Sequence, residues 1–180
     1  MADTGSDNQV DAGRRPLDQR SHWDRVAHRW GAWRALMDRA TAPVTECMAL
    51  RAAIGPGSRV LDVATGYGQP ALSVAPRVLP GGHVVALDLS REMLNLARGL
   101  ALEAGVRNLH LACMDGTCPA LRPAVFDAVL VRWGLMAFGD RVAGLSALRA
   151  LLATGGETGR GGVGRAGTGA GHRPADDRRA

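Results

Sequence analysis

The chain has 180 residues, 46% of them apolar and only 4% aromatic, enough for one domain of ordinary size with a sizeable core. No run of about eighteen apolar residues occurs, so no membrane span is expected. The polar stretch 1–15 has no apolar signal-peptide core, which makes the cytoplasm the expected compartment. All 22 basic residues are arginine, and three units of the net charge of +5 come from residues 160–180. With no basic patch on the periodic part of the chain, nucleic acid is not an expected partner. The cysteines, Cys47, Cys113 and Cys118, are odd in number and lack zinc-knuckle spacing. They read as reduced thiols, Cys47 and Cys113 buried, and no metal site is expected.

Residues 1–20 lack an apolar period and are expected to be a disordered tail. From Ser21 a helical pattern begins, with Trp23, Val26, Ala27, Trp30 and Arg34 at i, i+3, i+4 spacing. That spacing favours core packing of Trp23 and Trp30 over a lid above a cationic ligand. A second helix is expected to open at Pro43, a good first-turn residue, and to run to about Ala53. Gly55-Pro56-Gly57 then feeds a strand from Arg59 to Ala64. The helix starting at about Pro70 should end or bend at Pro76, which removes a backbone donor. A second strand follows over His83 to Leu87. Ser90 caps a helix carrying Met93, Leu96, Ala97, Leu100 and Ala101, which Gly105 stops. A third strand covers Asn108 to Ala112 and a fourth Phe126 to Val131, before a last amphipathic helix over about Arg141 to Ala153. This alternation predicts an α/β fold, a doubly wound parallel sheet with helices on both faces.

Beyond Gly155 the pattern stops: nine of the seventeen residues from Gly155 to Gly171 are glycine. Such a segment buries too little apolar surface to offset its ordering entropy. No strand is therefore expected after the last helix, so the sheet should be incomplete on its C-terminal side and the fourth strand should be an open edge. The expected organisation is a tail over 1–20, a domain over 21–156 and a disordered Gly/Arg-rich tail over 157–180.

The strongest functional signal is Val60-Leu61-Asp62-Val63-Ala64-Thr65-Gly66-Tyr67-Gly68, followed by Asp88 at the end of the next apolar run. The glycines allow a tight turn and close approach of backbone to a ligand. Asp88 is placed to accept hydrogen bonds from ribose hydroxyls. Gly66 to Ala71 also satisfies a dinucleotide pattern, so the glycines alone do not choose a cofactor. Asp62 tilts the choice, because a carboxylate there would repel a pyrophosphate and suit an amino group. Asp115, after the third strand, offers a second carboxylate on the ligand side.

At these residues the chain resembles the class I S-adenosylmethionine-dependent methyltransferases, and most of all the branch that includes the ubiquinone and menaquinone biosynthesis methyltransferases. The likeness is carried by the Val60–Gly68 segment, by Val85 to Leu94, by Met114-Asp115-Gly116 and by Phe126 to Met136. It ends with Leu151-Leu152-Ala153-Thr154-Gly155-Gly156. The resemblance implies a Rossmann-like fold and S-adenosylmethionine as cofactor. Asp62, Gly66 and Gly68 would line its methionine end and Asp88 would hold the ribose, with Leu89 and Met93 also binding the cofactor. Met114, Asp115 and Gly116 would surround the adenine, and Arg132 would contact the methionine portion or the substrate. The implied reaction is methyl transfer to a small-molecule acceptor, a quinone precursor or related metabolite. No catalytic residue is assigned. The family's further strands are missing after Gly156, which makes a frameshifted or prematurely ended frame the expectation. The alternatives are a nicotinamide-dependent oxidoreductase and an inactive truncated remnant.

Overall fold

The computed structural model describes residues 16–160, with side chains from Asp18 to Ala153. Of the tails expected over 1–20 and 157–180, residues 1–15 and 161–180 lie outside the described residues. Five strands form one parallel sheet: β1 (Arg59–Val63), β2 (His83–Asp88), β3 (Leu109–Cys113), β4 (Phe126–Val131) and β5 (Leu152–Arg160). Their spatial order is β3-β2-β1-β4-β5. The helices are α1 (Pro16–Arg51), α2 (Ala71–Val74), α3 (Arg91–Glu103) and α4 (Arg141–Ala150).

Strands covered on both faces must be apolar on both, which is why β1, β2 and β4 read as nearly unbroken Val/Leu/Ala runs. Successive side chains alternate between the faces. Val60, Ala86 and Leu130 point into one layer with Met48, Ala49, Val74 and Val78. Leu61, Leu87 and Val129 point into the other with Phe138, Leu148 and Leu151. The strand order reverses between β1 and β4, and their carboxyl ends diverge there to leave a crevice.

Pro76 acts as its chemistry dictates: α2 ends at Val74 and tightens into a 3-10 turn over Ala75–Val78. Ser90 caps α3 by accepting from the Met93 N–H at 3.1 Å. Four expectations are corrected. α1 already begins at Pro16, inside the stretch read as tail, and it continues through Pro43 without a break. Pro43 and Arg39 are exposed, so water can solvate the carbonyl that the proline leaves unpaired. All three cysteines are exposed, Cys47 and Cys113 included. Finally, β5 follows α4 and pairs with β4, from Phe126 opposite Leu152 to Val131 opposite Arg160 with a shift in register between Phe126 and Ala128. A ladder is built from backbone groups, so the unpaired edge of an apolar strand can template a glycine-rich neighbour. β4 is not an open edge, and the sheet runs past residue 156.

Pro43→Ala restores the missing amide donor in an exposed helix interior. It should raise the free energy of unfolding by up to ~3 kcal/mol, read from denaturant midpoints.

Candidate functional site

The carboxyl ends of β1, β2 and β4 open into a cavity of about 1420 Å³, roofed by the part of α1 between Gln19 and Thr41. Eight of the ten residues singled out from sequence line it: Gly66, Asp88, Leu89, Met93, Met114, Asp115, Gly116 and Arg132. Asp62 and Gly68 do not.

Asp62 sits inside β1 opposite Ala86 and Leu130, with no exposed surface. Its Oδ2 accepts from the Thr65 hydroxyl at 2.6 Å and from the Ala71 N–H at 3.0 Å, and so ties together the two ends of the turn after β1. Its Oδ1 has no partner. Burial pushes this carboxyl up to about 7, against the pull of Thr65, Ala71 and Arg132, and Asp88 adds to the push. Gly68 faces inward at φ +100, and a Cβ there would lie 2.9 Å from Leu72 and 3.1 Å from Ala97. Both residues, expected from sequence to line the methionine end of the ligand, stand behind the turn and hold its shape without bordering the cavity.

Gly66 does face the cavity. Its φ is +58, and a Cβ there would meet nothing within 4 Å, so the bare backbone borders open space. The Gly66 N–H donates to Asp88 Oδ2 and the Ser90 N–H to Asp88 Oδ1, each at 2.8 Å. Asp88 is therefore pinned at the strand end by backbone donors. Each carboxylate oxygen accepts more than one hydrogen bond, which leaves capacity toward the cavity. Burial raises its pKa, and the donors oppose that shift.

Past β3, Asp115 folds back on the Thr117 N–H and hydroxyl, at 2.8 and 2.7 Å. Gly116 lets this loop lie against β1, since a Cβ would fall 2.4 Å from Val63 Cγ1. Arg132, just past β4, reaches across to the roof. Its Nη1 donates to the Thr41 and Thr45 hydroxyls at 2.7 and 3.0 Å, and its Nη2 to the Gln69 carbonyl at 3.4 Å. Its buried Nε has no partner.

Sequence reasoning missed several contributors. Ala64 lines the cavity at φ +57, a conformation that costs an L-residue about 1–2 kcal/mol, and nothing in its identity announces it. Trp23, Trp30 and Trp33 all line the cavity, although spacing had assigned the first two to the core. Trp30 stacks on Tyr67 with centroids 6.5 Å apart, and the Tyr67 hydroxyl donates to Asp38 at 3.0 Å. Burial and then Asp38 push that phenol up to about 12. The signal was present in the clustering of three of the four tryptophans within eleven residues. Among the described residues no group of His, Cys, Asp or Glu could hold a metal ion.

A methyltransferase domain family matches residues 60–156. Aklanonic acid methyltransferase DauC of Streptomyces sp. (strain C5) is 34% identical over 100 residues, or 56% of this chain and 46% of that protein. The ubiquinone/menaquinone biosynthesis C-methyltransferase UbiE of Ralstonia pickettii (strain 12J) is 34% identical over 107 residues, covering 59% and 44%. The chain thus spans less than half the length of these two relatives. Among solved structures, the [4+2]-cyclase SpnF superposes with a TM-score of 0.62 at 26% identity, covering 67% of this chain and 44% of that one. A SAM dependent methyltransferase from Aquifex aeolicus shares the fold, with a TM-score of 0.56 at 22% identity over 61% and 58%.

The geometry of Asp62 has a pH signature. Its folded pKa lies above the unfolded one, so its contribution to stability is complete below about pH 4 and declines as pH rises toward about 7. Asp88 shifts in the same direction. Asp62→Asn should be less stable at pH 4, where its amide is a buried donor without a partner, yet lose less stability between pH 4 and 8. Unfolding midpoints measured across that range check the slope.

Proposed function

The chain belongs to the methyltransferase domain family, class I and S-adenosylmethionine-dependent, and on that premise we propose that it methylates a small-molecule acceptor held beneath α1. When bound, S-adenosylmethionine supplies a methyl group on a cationic sulfur, which passes to a nucleophilic atom of the acceptor. The reading rests above all on Asp88, fixed by two backbone donors at the end of β2, beside the open backbone of Gly66.

The residues present fit that cofactor. Asp88 accepts from the ribose hydroxyls with the capacity its backbone partners leave free. Leu89, Met93, Met114, Asp115 and Gly116 surround the adenine, and Gly66 with Arg132 borders the methionine end. Asp62 and Gly68 act from behind, by fixing the turn. The carboxylates near the strand ends suit a ligand carrying positive charge. The chain's contribution is alignment and exclusion of water, and no side chain is assigned as a base.

For the acceptor, the names of the relatives point to aklanonic acid and to ubiquinone/menaquinone biosynthesis, which supports a quinone precursor or related metabolite. The apolar walls formed by Trp30, Trp33, Met37 and Met136 suit such a molecule. No helix among the described residues is long and apolar enough to cross a membrane. A cytoplasmic reaction is part of the same proposal.

S-adenosylhomocysteine at 100 times its Kd should stabilise the protein by about 2.7 kcal/mol, seen as a raised Tm, whereas NAD and NADP should not. Stabilisation by NAD alone would overturn the assignment. Asp88→Ala should weaken S-adenosylhomocysteine binding by about 1.5–3 kcal/mol in calorimetry. The same variant should lower the Tm of the free protein, because the Gly66 and Ser90 amides lose their acceptor.

A further inference from the structure

One ridge of α1 facing the cavity carries Arg25, Arg29, Trp33 and Met37, each four residues from the next. Both arginines are exposed, and among the described residues neither has an ion-pair or hydrogen-bond partner. Like charges four apart on a helix repel each other, and a single anion set between them removes that repulsion. Trp33 next to them leaves 63% of its surface exposed. The carboxylates that line the cavity lie on other walls: Asp88 at the end of β2, Asp115 past β3 and Asp140 at the start of α4. Apart from Arg132, whose guanidinium is held by Thr41, Thr45 and Gln69, the floor of the cavity is acidic, and its roof is basic and aromatic.

We propose that this ridge recognises the acceptor, and that the acceptor is a planar aromatic carboxylic acid. Its carboxylate pairs with Arg25 and Arg29, and its ring lies against Trp33 and Met37. The proposal rests on the methyl-transfer reading of the cavity and narrows its substrate class. A guanidinium pair offers parallel N–H donors to the two oxygens of a carboxylate, and an indole face offers stacking area at little cost in side-chain entropy.

The test titrates the full chain, in the presence of S-adenosylhomocysteine, with 2-naphthoate and with its neutral isostere 2-naphthamide. Tryptophan fluorescence reports binding. The acid should bind about tenfold more tightly than the amide, the scale expected of two partly exposed charge pairs, and added salt should narrow the gap. The double variant Arg25→Gln/Arg29→Gln should erase the preference and leave affinity for S-adenosylhomocysteine unchanged. Arg25→Lys/Arg29→Lys should restore part of the preference. Trp33→Leu should weaken both probes alike. Equal binding of the two probes, absence of binding by either, or a preference that survives the Gln variant would overturn the proposal. If the wild-type chain prefers the acid but fails to bind S-adenosylhomocysteine, the cofactor reading falls and the arginine ridge stands.

Discussion

The carboxylate of Asp62 is closed off from water in the middle of the sheet, and its Oδ2 grips both Thr65 and Ala71. Between those two residues lies the whole turn that borders the ligand cavity. From the other side Asp88 holds the Gly66 amide, so the turn is clamped between two carboxylates from neighbouring strands. Burying one charge costs several kcal/mol unless partners compensate, and burying two close together costs more. The hydroxyl, the three amides and the nearby Arg132 guanidinium are that compensation. What the arrangement secures is position, since a backbone meant to touch a ligand must not relax away from it.

Charge is partitioned across the cavity as a result. The strand ends present Asp88 and Asp115 to the cavity, with Asp62 buried behind them, and the roof supplies Arg25, Arg29 and an open indole. A ligand with positive charge at one end and an acidic partner at the other would meet complementary potential along its full length. No single residue produces this. It follows from a parallel sheet presenting its carboxyl edge to a helix that arrives from before β1.

Much of this was legible in the chain. Apolar runs located β1, β2 and β4 to within a residue, because strands buried on both faces leave little freedom of composition. Gly66 and Asp88, which border the cavity, could be read because their types are forced: glycine where φ is positive, a carboxylate where a strand ends at the crevice. What could not be read shares a physical cause. Pro43 lies within α1 because both it and the freed carbonyl region face water, a fact of tertiary placement. β5 pairs through its backbone, which hydrophobic patterning does not report. Asp62 and Asp88 carry similar sequence signals, yet the first is sealed beneath the turn and the second opens onto the cavity. Both point to the same face of the sheet, because Asp62 pairs with Ala86 and Asp88 lies two residues further on, so the difference is how close each stands to the carboxyl edge.

Arg132 gives Pro43 a mechanical meaning. A helix bends most cheaply where a proline has removed a hydrogen bond. In α1 that point is straddled by Thr41 and Thr45, and one guanidinium from the end of β4 holds both hydroxyls. Beyond the proline, Met48 and Ala49 are bolted into the core, while the segment before it arches over the cavity. The helix is therefore a lever whose fulcrum is supplied by the floor it covers. Swinging the long arm outward would stretch the link to Thr41 before the link to Thr45, so the roof is trussed straight at its weakest joint by a residue ninety positions away in the chain.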